Sequence, residues 1–253
     1  MPVPATGKNE LELIEVFSSF QGEGTLVGVR QVFIRMAFCN LDCGYCDTPF
    51  APTSECRIED APGSENFRSL PNPVGLETLY NVLHLWQREA PGLHHSISLT
   101  GGEPLVQAAA LREWLPALRR ILPLHLETNG TLPTALTPLL GTIDFISMDL
   151  KLPSQTGCRP LWEEHREFLR LGRERIGQVK AVIGEETPVE EVEQAARLLR
   201  EFAPEVPLIL QPVTRNGRPD ISPAALFALQ TRAAAIHPNL RIIPQIHKFL
   251  GVI

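Results

Sequence analysis

The sequence predicts an α/β protein built on a parallel sheet, and three observations predict it. Short apolar, β-branched runs recur along the chain, segments with helical spacing separate most of them, and unusual polar clusters fall at the ends of the runs. The runs are 30–38 (RQVFIRMAF), 95–99 (HSISL), 124–127 (LHLE), 143–147 (IDFIS), 178–183 (QVKAVI), 207–213 (PLILQPV) and 240–244 (LRIIP). Strands alternating with helices imply βαβ units, in an open doubly wound sheet or in a whole or partial barrel. The helical segments are fewer and less even than an eight-fold barrel needs, which favours a partial (β/α) TIM-type barrel.

Four segments carry the helical spacing: 76–90, 109–122, 188–203 and 222–236. Thr187 stands before Pro188 and two glutamates as a capping start signal, and Ser222 stands before Pro223 in the same way. Residues 51–75 break the rhythm. Their Pro-, Ser- and Glu-rich composition reads as a surface insertion after the cysteine-rich stretch, in a chain that otherwise reads as one domain over 1–253. No internal repeat is visible.

The bulk numbers exclude some classes. Of 253 residues, 43% are hydrophobic and 21% charged, an ordinary globular balance. The net charge of −6 weighs against nucleic acid as a direct partner, because phosphate binding needs a basic footprint. No apolar run reaches the roughly 18 to 20 residues that cross a bilayer, so no membrane partner is expected. The first residues lack the charged start and apolar stretch of a secretory signal, so the expected location is cytoplasmic. In that reducing setting, clustered cysteines serve metals or chemistry rather than disulfides.

The polar clusters share one position. CNLDCGYCDT (39–48), TGGEP (100–104), ETNG (127–130), SMDLK (147–151), QPVT (211–214) and QIHK (245–248) each lie at the C-terminal end of a predicted strand. That is the rim where barrels and open α/β sheets build their active sites.

Three of the five cysteines, Cys39, Cys43 and Cys46, fall within eight positions. A structural zinc site is one reading, but such a site is closed by four ligands. Seven histidines are available elsewhere, none within or just after the cluster. Cys56 and Cys158 read as ordinary thiols. The other reading is an iron–sulfur cubane, which normally takes four sulfur ligands. Three cysteines leave one iron open to a small molecule that offers an amine and a carboxylate.

The CxxxCxxC spacing is the signature of the radical S-adenosylmethionine (SAM) superfamily, which the chain resembles, and TGGEP resembles that superfamily's second SAM-contacting element. The flanking FSSFQGEGTLVG (17–28), FIR (33–35), YCDT (45–48) and HKFLGVI (247–253) together resemble 7-carboxy-7-deazaguanine synthase. The resemblance implies a radical SAM barrel and a lyase acting on 6-carboxy-5,6,7,8-tetrahydropterin. Reductive cleavage of SAM gives a 5′-deoxyadenosyl radical that abstracts a hydrogen; the ring contracts, ammonia leaves and SAM is regenerated. It further implies a [4Fe-4S] cluster, Mg²⁺, an electron donor such as flavodoxin, a homodimer, and a place in queuosine or 7-deazapurine biosynthesis.

Residue by residue, the resemblance gives Cys39, Cys43 and Cys46 to the cluster. Tyr45, Asp47, Gly102, Asp149, Leu150, Lys151 and Gln211 go to SAM, and Thr48 to Mg²⁺. Phe20, Gln21, Gly22, Arg35, Thr100 and Ile253 go to the substrate. Arg35 alternates with Ile34 and Met36, so it can point into a lumen where its fork grips a carboxylate. Plainer readings stand beside these: Arg35 and Lys151 as solvated residues, Thr48 as a helix cap, ETNG as a type I′ turn, His247 as a packed histidine. Two other functions also stay open: a different radical SAM enzyme, such as a glycyl-radical activase, which ETNG and DLK also fit, and a zinc-stabilised binding module.

Overall fold

A computed structural model describes residues 9–46, 48–215 and 217–252. Ten strands form one sheet: β1 Leu13–Phe20, β2 Arg30–Met36, β3 Glu55–Glu59, β4 Phe67–Pro71, β5 Ser96–Gly101, β6 Leu124–Thr128, β7 Phe145–Asp149, β8 Ile176–Ile183, β9 Leu208–Pro212 and β10 Leu240–Ile242. Their spatial order is β10-β9-β8-β7-β6-β5-β2-β1-β3-β4. From β2 to β10 every neighbouring pair is parallel. The sheet has two ends, β10 and β4, so the barrel is partial, as the sequence predicts.

Five longer helices, α1 Leu76–Glu89, α2 Ala108–Leu118, α3 Trp162–Gly172, α4 Val189–Phe202 and α5 Pro223–Ala234, supply most crossovers. Their apolar stripes cover one sheet face: Leu79, Leu83, Trp114, Leu118, Phe168, Ala195 and Leu199 lie in one core with Val32, Ile34, Ile97, Leu99, Leu126, Ile146, Val179 and Leu210. Alternation along each strand turns the other side chains into the lumen. Those are largely polar: Gln31 and Arg35, Ser98 and Thr100, His125 and Glu127, Ser147 and Asp149, Gln178 and Lys180, then Gln211. A core on one side and chemistry on the other is the sheet's division of labour.

Ser222 caps α5 by accepting from the Ala225 amide. Thr187 does not cap α4: the N-cap is Pro188, and the Thr187 hydroxyl instead accepts from the Gly184 amide at 2.8 Å and the Gln155 side chain at 2.9 Å. The 51–75 segment, read as a surface insertion, is largely exposed but not irregular. It contains the antiparallel β3–β4 hairpin, with β3 parallel to β1, and Cys56 and Ile58 are buried in the core. Strand β1 and helix α3 are also elements absent from the sequence-derived set.

Candidate active site

All six polar clusters line one cavity of about 510 Å³ at the C-terminal rim of the parallel strands. The cysteine loop leaves β2 through Phe38, whose amide donates to the Phe50 carbonyl at 2.7 Å. The TGGEP segment leaves β5 beside it. The Gly102 amide donates to the Met36 carbonyl at 3.1 Å, and the Glu103 amide to the Phe38 carbonyl at 2.8 Å. A Cβ on Gly102 would stand 2.0 Å from the Phe38 carbonyl oxygen, so only glycine permits this approach.

Glu103 joins a third loop to the pair. Fully buried, it accepts from the Leu105 amide, the Thr128 hydroxyl at 2.8 Å and the Asn129 amide at 2.7 Å. Burial pushes its carboxyl up to about 7 against those hydrogen bonds. Asn129 in turn donates to Asn40 of the cysteine loop at 2.9 Å. ETNG is therefore not a hairpin turn: β6 has parallel partners on both sides, and Asn129 accepts from Thr131 as an Asx turn.

Cys39, Cys43 and Cys46 are free thiols on this cavity wall. Burial raises the Cys39 thiol and pushes Cys43 up to about 12, so the apoprotein alone does not hold these two as thiolates. Their chemistry fits an iron–sulfur cluster, whose positive irons supply the compensation that burial removes, and the Leu41 amide already points at the Cys39 sulfur at 3.5 Å. Among the described residues, no three His, Cys, Asp or Glu side chains gather as ligands of a single metal ion. A cubane spreads its cysteines more widely than one ion does.

A ladder of partly buried charges runs from the cysteine loop across the lumen face. Lys151 donates to the Tyr45 hydroxyl and to Asp149, both at 2.9 Å. Lys180 lies 3.4 Å from Asp149 and pairs closely with Glu23. Glu23 also accepts from Gln211 and Gln245, each at 3.0 Å. Burial alone would raise the Glu23 carboxyl, but Lys180, with Gln245 and His247, holds it at about 2. Burial would likewise lower Lys151, and Asp149 and Tyr45 raise it instead. Asp149 and Gln211 line the cavity, and the Asp149 Oδ1 and Gln211 Oε1 atoms are buried without a hydrogen bond, two acceptors with unmet capacity.

On the β1–β2 side, Arg35 donates through Nε to Glu15 at 2.9 Å and lies over the Phe17 ring, which stacks on Phe33. Gln21 donates to Gln31 and to Glu127, both at 3.0 Å. The Gly22 carbonyl accepts from the Ile246 amide at 2.8 Å, and a Cβ on Gly22 would meet the His247 ring at 2.1 Å. The final helix, Ile246–Leu250, is thereby set against the mouth of the cavity.

Of the site residues expected from sequence, Cys39, Cys43, Cys46, Tyr45, Thr48, Gly102, Asp149, Lys151, Gln211, Phe20, Gln21, Gly22, Arg35 and Thr100 line this one cavity. Leu150 does not: its side chain is buried in the core and its amide donates to the Lys180 carbonyl. Asp47 and Ile253 lie outside the described residues. Among the described residues no helix starts at Thr48, so it caps none of them. His247, read as packed, lines the cavity, and Lys151 is a partly buried member of the ladder rather than a surface lysine. Glu23, Glu127 and Gln245 fell within quoted motifs but were given no role of their own, and Gln178 and Lys180 were not singled out, yet all five line the same space.

Comparison with known proteins agrees with this geometry. Residues 33–204 match the Radical SAM superfamily. The chain is 48% identical to the 7-carboxy-7-deazaguanine synthase of Geobacter sulfurreducens, covering 95% of this chain and 97% of that one. It is 35% identical to the synthase of the same name from Archaeoglobus fulgidus, over 95% and 98%. Among solved structures, QueE from Escherichia coli superposes with a TM-score of 0.59 at 20% identity, covering 94% of this chain and 95% of that one. SuiB of Streptococcus suis bound to S-adenosylmethionine superposes at 0.53 over 82% of this chain and 48% of that one, with 17% identity; both are likenesses of fold. The chain belongs to the radical SAM superfamily and, within it, to the 7-carboxy-7-deazaguanine synthase family.

Proposed function

We propose that this chain converts 6-carboxy-5,6,7,8-tetrahydropterin to 7-carboxy-7-deazaguanine with loss of ammonia, for queuosine or another 7-deazapurine. The observation that carries the reading is the convergence of six strand-end clusters on one cavity. The three cysteines stand on one wall, with Arg35, Gln21 and Thr100 elsewhere on its lining. A [4Fe-4S] cluster on Cys39, Cys43 and Cys46, with SAM on its open iron, supplies the hydrogen-abstracting radical when bound. The protein's share is position and seclusion.

Gly102, Tyr45, Asp149, Lys151 and Gln211 orient SAM. The unpaired Asp149 and Gln211 oxygens are acceptors suited to its hydroxyl or amino groups. Asp47 joins them on family resemblance. Arg35 holds the substrate carboxylate, while Gln21, Gly22 and Thr100 face the pterin beside Phe20, with Ile253 assigned by resemblance alone. Glu127, raised by burial and accepting from Ser98 and Gln21, offers a carboxyl to the pterin's N–H edge. Thr48 supplies one oxygen to Mg²⁺, which takes its remaining ligands from substrate and water, as that ion usually does. Family membership supports a flavodoxin-type electron donor, a homodimer and a cytoplasmic setting; among the described residues, no helix is long and apolar enough to cross a membrane.

The test is to incubate anaerobically reconstituted, reduced protein with SAM, Mg²⁺ and the carboxytetrahydropterin. Mass spectrometry is expected to show loss of ammonia from the substrate and survival of SAM. Irreversible SAM consumption with no deazaguanine would refute the reading.

A further inference from the structure

The β3–β4 hairpin, which follows the cysteine loop, meets the cavity wall at one row of the sheet. Cross-strand pairing aligns Arg57 with Glu15, Glu15 with Arg35, and Arg35 with Thr100. Four strands thus present four side chains in a lateral line. Residues paired across strands share a face, so this line runs from the hairpin straight to the cavity. Arg35 and Thr100 line the cavity; Arg57 does not.

The contacts along the row have a direction. Arg35 gives its Nε to Glu15 Oε1 at 2.9 Å, and among the described residues its two Nη groups make no hydrogen bond. Arg57 Nη1 lies 3.5 Å from the other Glu15 oxygen, and its guanidinium lies over the Phe67 ring of β4 at 4.3 Å. Glu15 is only 11% exposed at its side chain. A carboxylate so buried and facing one arginine would cancel most of that arginine's charge. Shared between two arginines, it leaves the row with a net charge of +1.

We infer that Arg57, carried by the β3–β4 hairpin, is a positioning residue for the substrate carboxylate. It draws on Glu15 so that Arg35 keeps both a fixed orientation and an uncompensated positive charge toward the cavity. The hairpin is in this sense part of the substrate site, and Phe67 holds Arg57 in place for it. The inference rests on the proposed role of Arg35.

The experiment compares steady-state kinetics of wild type, Arg57→Gln, Arg57→Lys and Arg35→Ala with the carboxytetrahydropterin at low and high salt. An ion pair this exposed on one side corresponds to about a three- to five-fold rise in KM for Arg57→Gln, with kcat at saturation little altered. The rise shrinks as salt screens the row, and Arg57→Lys, which keeps the charge, recovers part of it. A structural loss would instead lower kcat and would not respond to salt. Arg35→Ala separates the two layers. If it raises KM steeply while Arg57→Gln leaves KM unchanged, or changes it equally at all salt concentrations, the hairpin's role is refuted and that of Arg35 stands. If Arg35→Ala leaves KM unchanged, both fall.

Discussion

Replacing Gly102 with alanine tests how tightly the cluster loop and the SAM loop are coupled. The new Cβ would lie 2.0 Å from the Phe38 oxygen, 2.6 Å from the Phe38 carbonyl carbon and 3.0 Å from Phe50 Cβ. Real contacts do not go below 3.0 Å, so something must move by about 1 Å, and the nearest atom is backbone rather than a flexible side-chain end. Neither partner yields freely. Phe38 already sits at φ 68 and is hydrogen-bonded to Phe50 and Glu103, while the Gly102 amide is bonded to Met36. Forced overpacking of this kind costs about 1–3 kcal/mol in stability. Its functional cost is larger, because Phe38 immediately precedes Cys39, and a misplacement of about 1 Å between reacting partners can lower a rate by about 10²-fold. Gly102→Ala is expected to remain folded, bind near-normal iron and sulfide after reconstitution, and cleave SAM about 100-fold more slowly. Iron and sulfide content, thermal midpoint and anaerobic SAM cleavage measure the three. Cleavage within a few-fold of wild type would refute the steric coupling.

Three further outcomes follow from the site. Cys43→Ala leaves two thiols, too few for a cubane, so reconstituted iron and sulfide and SAM cleavage should all fall to background; a brown, active variant would overturn the ligand assignment. Gly22→Ala would drive a Cβ into the His247 ring 2.1 Å away, so the Ile246–Leu250 helix must shift and KM for the pterin should rise with little change in SAM cleavage. The Glu23 carboxyl is held at about 2, below its ordinary 4.5, so its stabilising contribution is complete above pH 4.5 and is lost as pH falls toward 2. The difference in thermal midpoint between wild type and Glu23→Gln should therefore narrow as pH drops through that window; a constant difference would show that the Lys180 pair contributes nothing that titrates.

What the sequence made legible divides along contact range. The seven runs read as strands are all strands, because their apolar, β-branched composition is a local property. The cysteine spacing and the strand-end clusters are local too. Residues 55–59 (ECRIE) were hidden by their neighbours' Pro, Ser and Glu, although Cys56 and Ile58 face the core while Glu55 and Arg57 face away. Strand β1 was missed for a different reason. Its residues are buried on both faces, so LIEVFSSF shows no clean alternation of period two.

The charge ladder marks the boundary more sharply. Lys180 is visible as a lone cation among Val179, Ala181 and Val182, and its position two residues from Gln178 places both on the lumen face. A lysine there demands a carboxylate, since an unpaired buried charge is costly. Nothing local says which one. Its partners are Glu23, 157 positions earlier, and Asp149 on the adjacent strand, and Gln211 and Gln245 hold the same Glu23 carboxylate from two further segments. Each of those residues is unremarkable alone. A polar side chain on the inner face of an otherwise apolar strand therefore signals that the lumen is a site, while its pairing, and so its electrostatic state, is set by strand order.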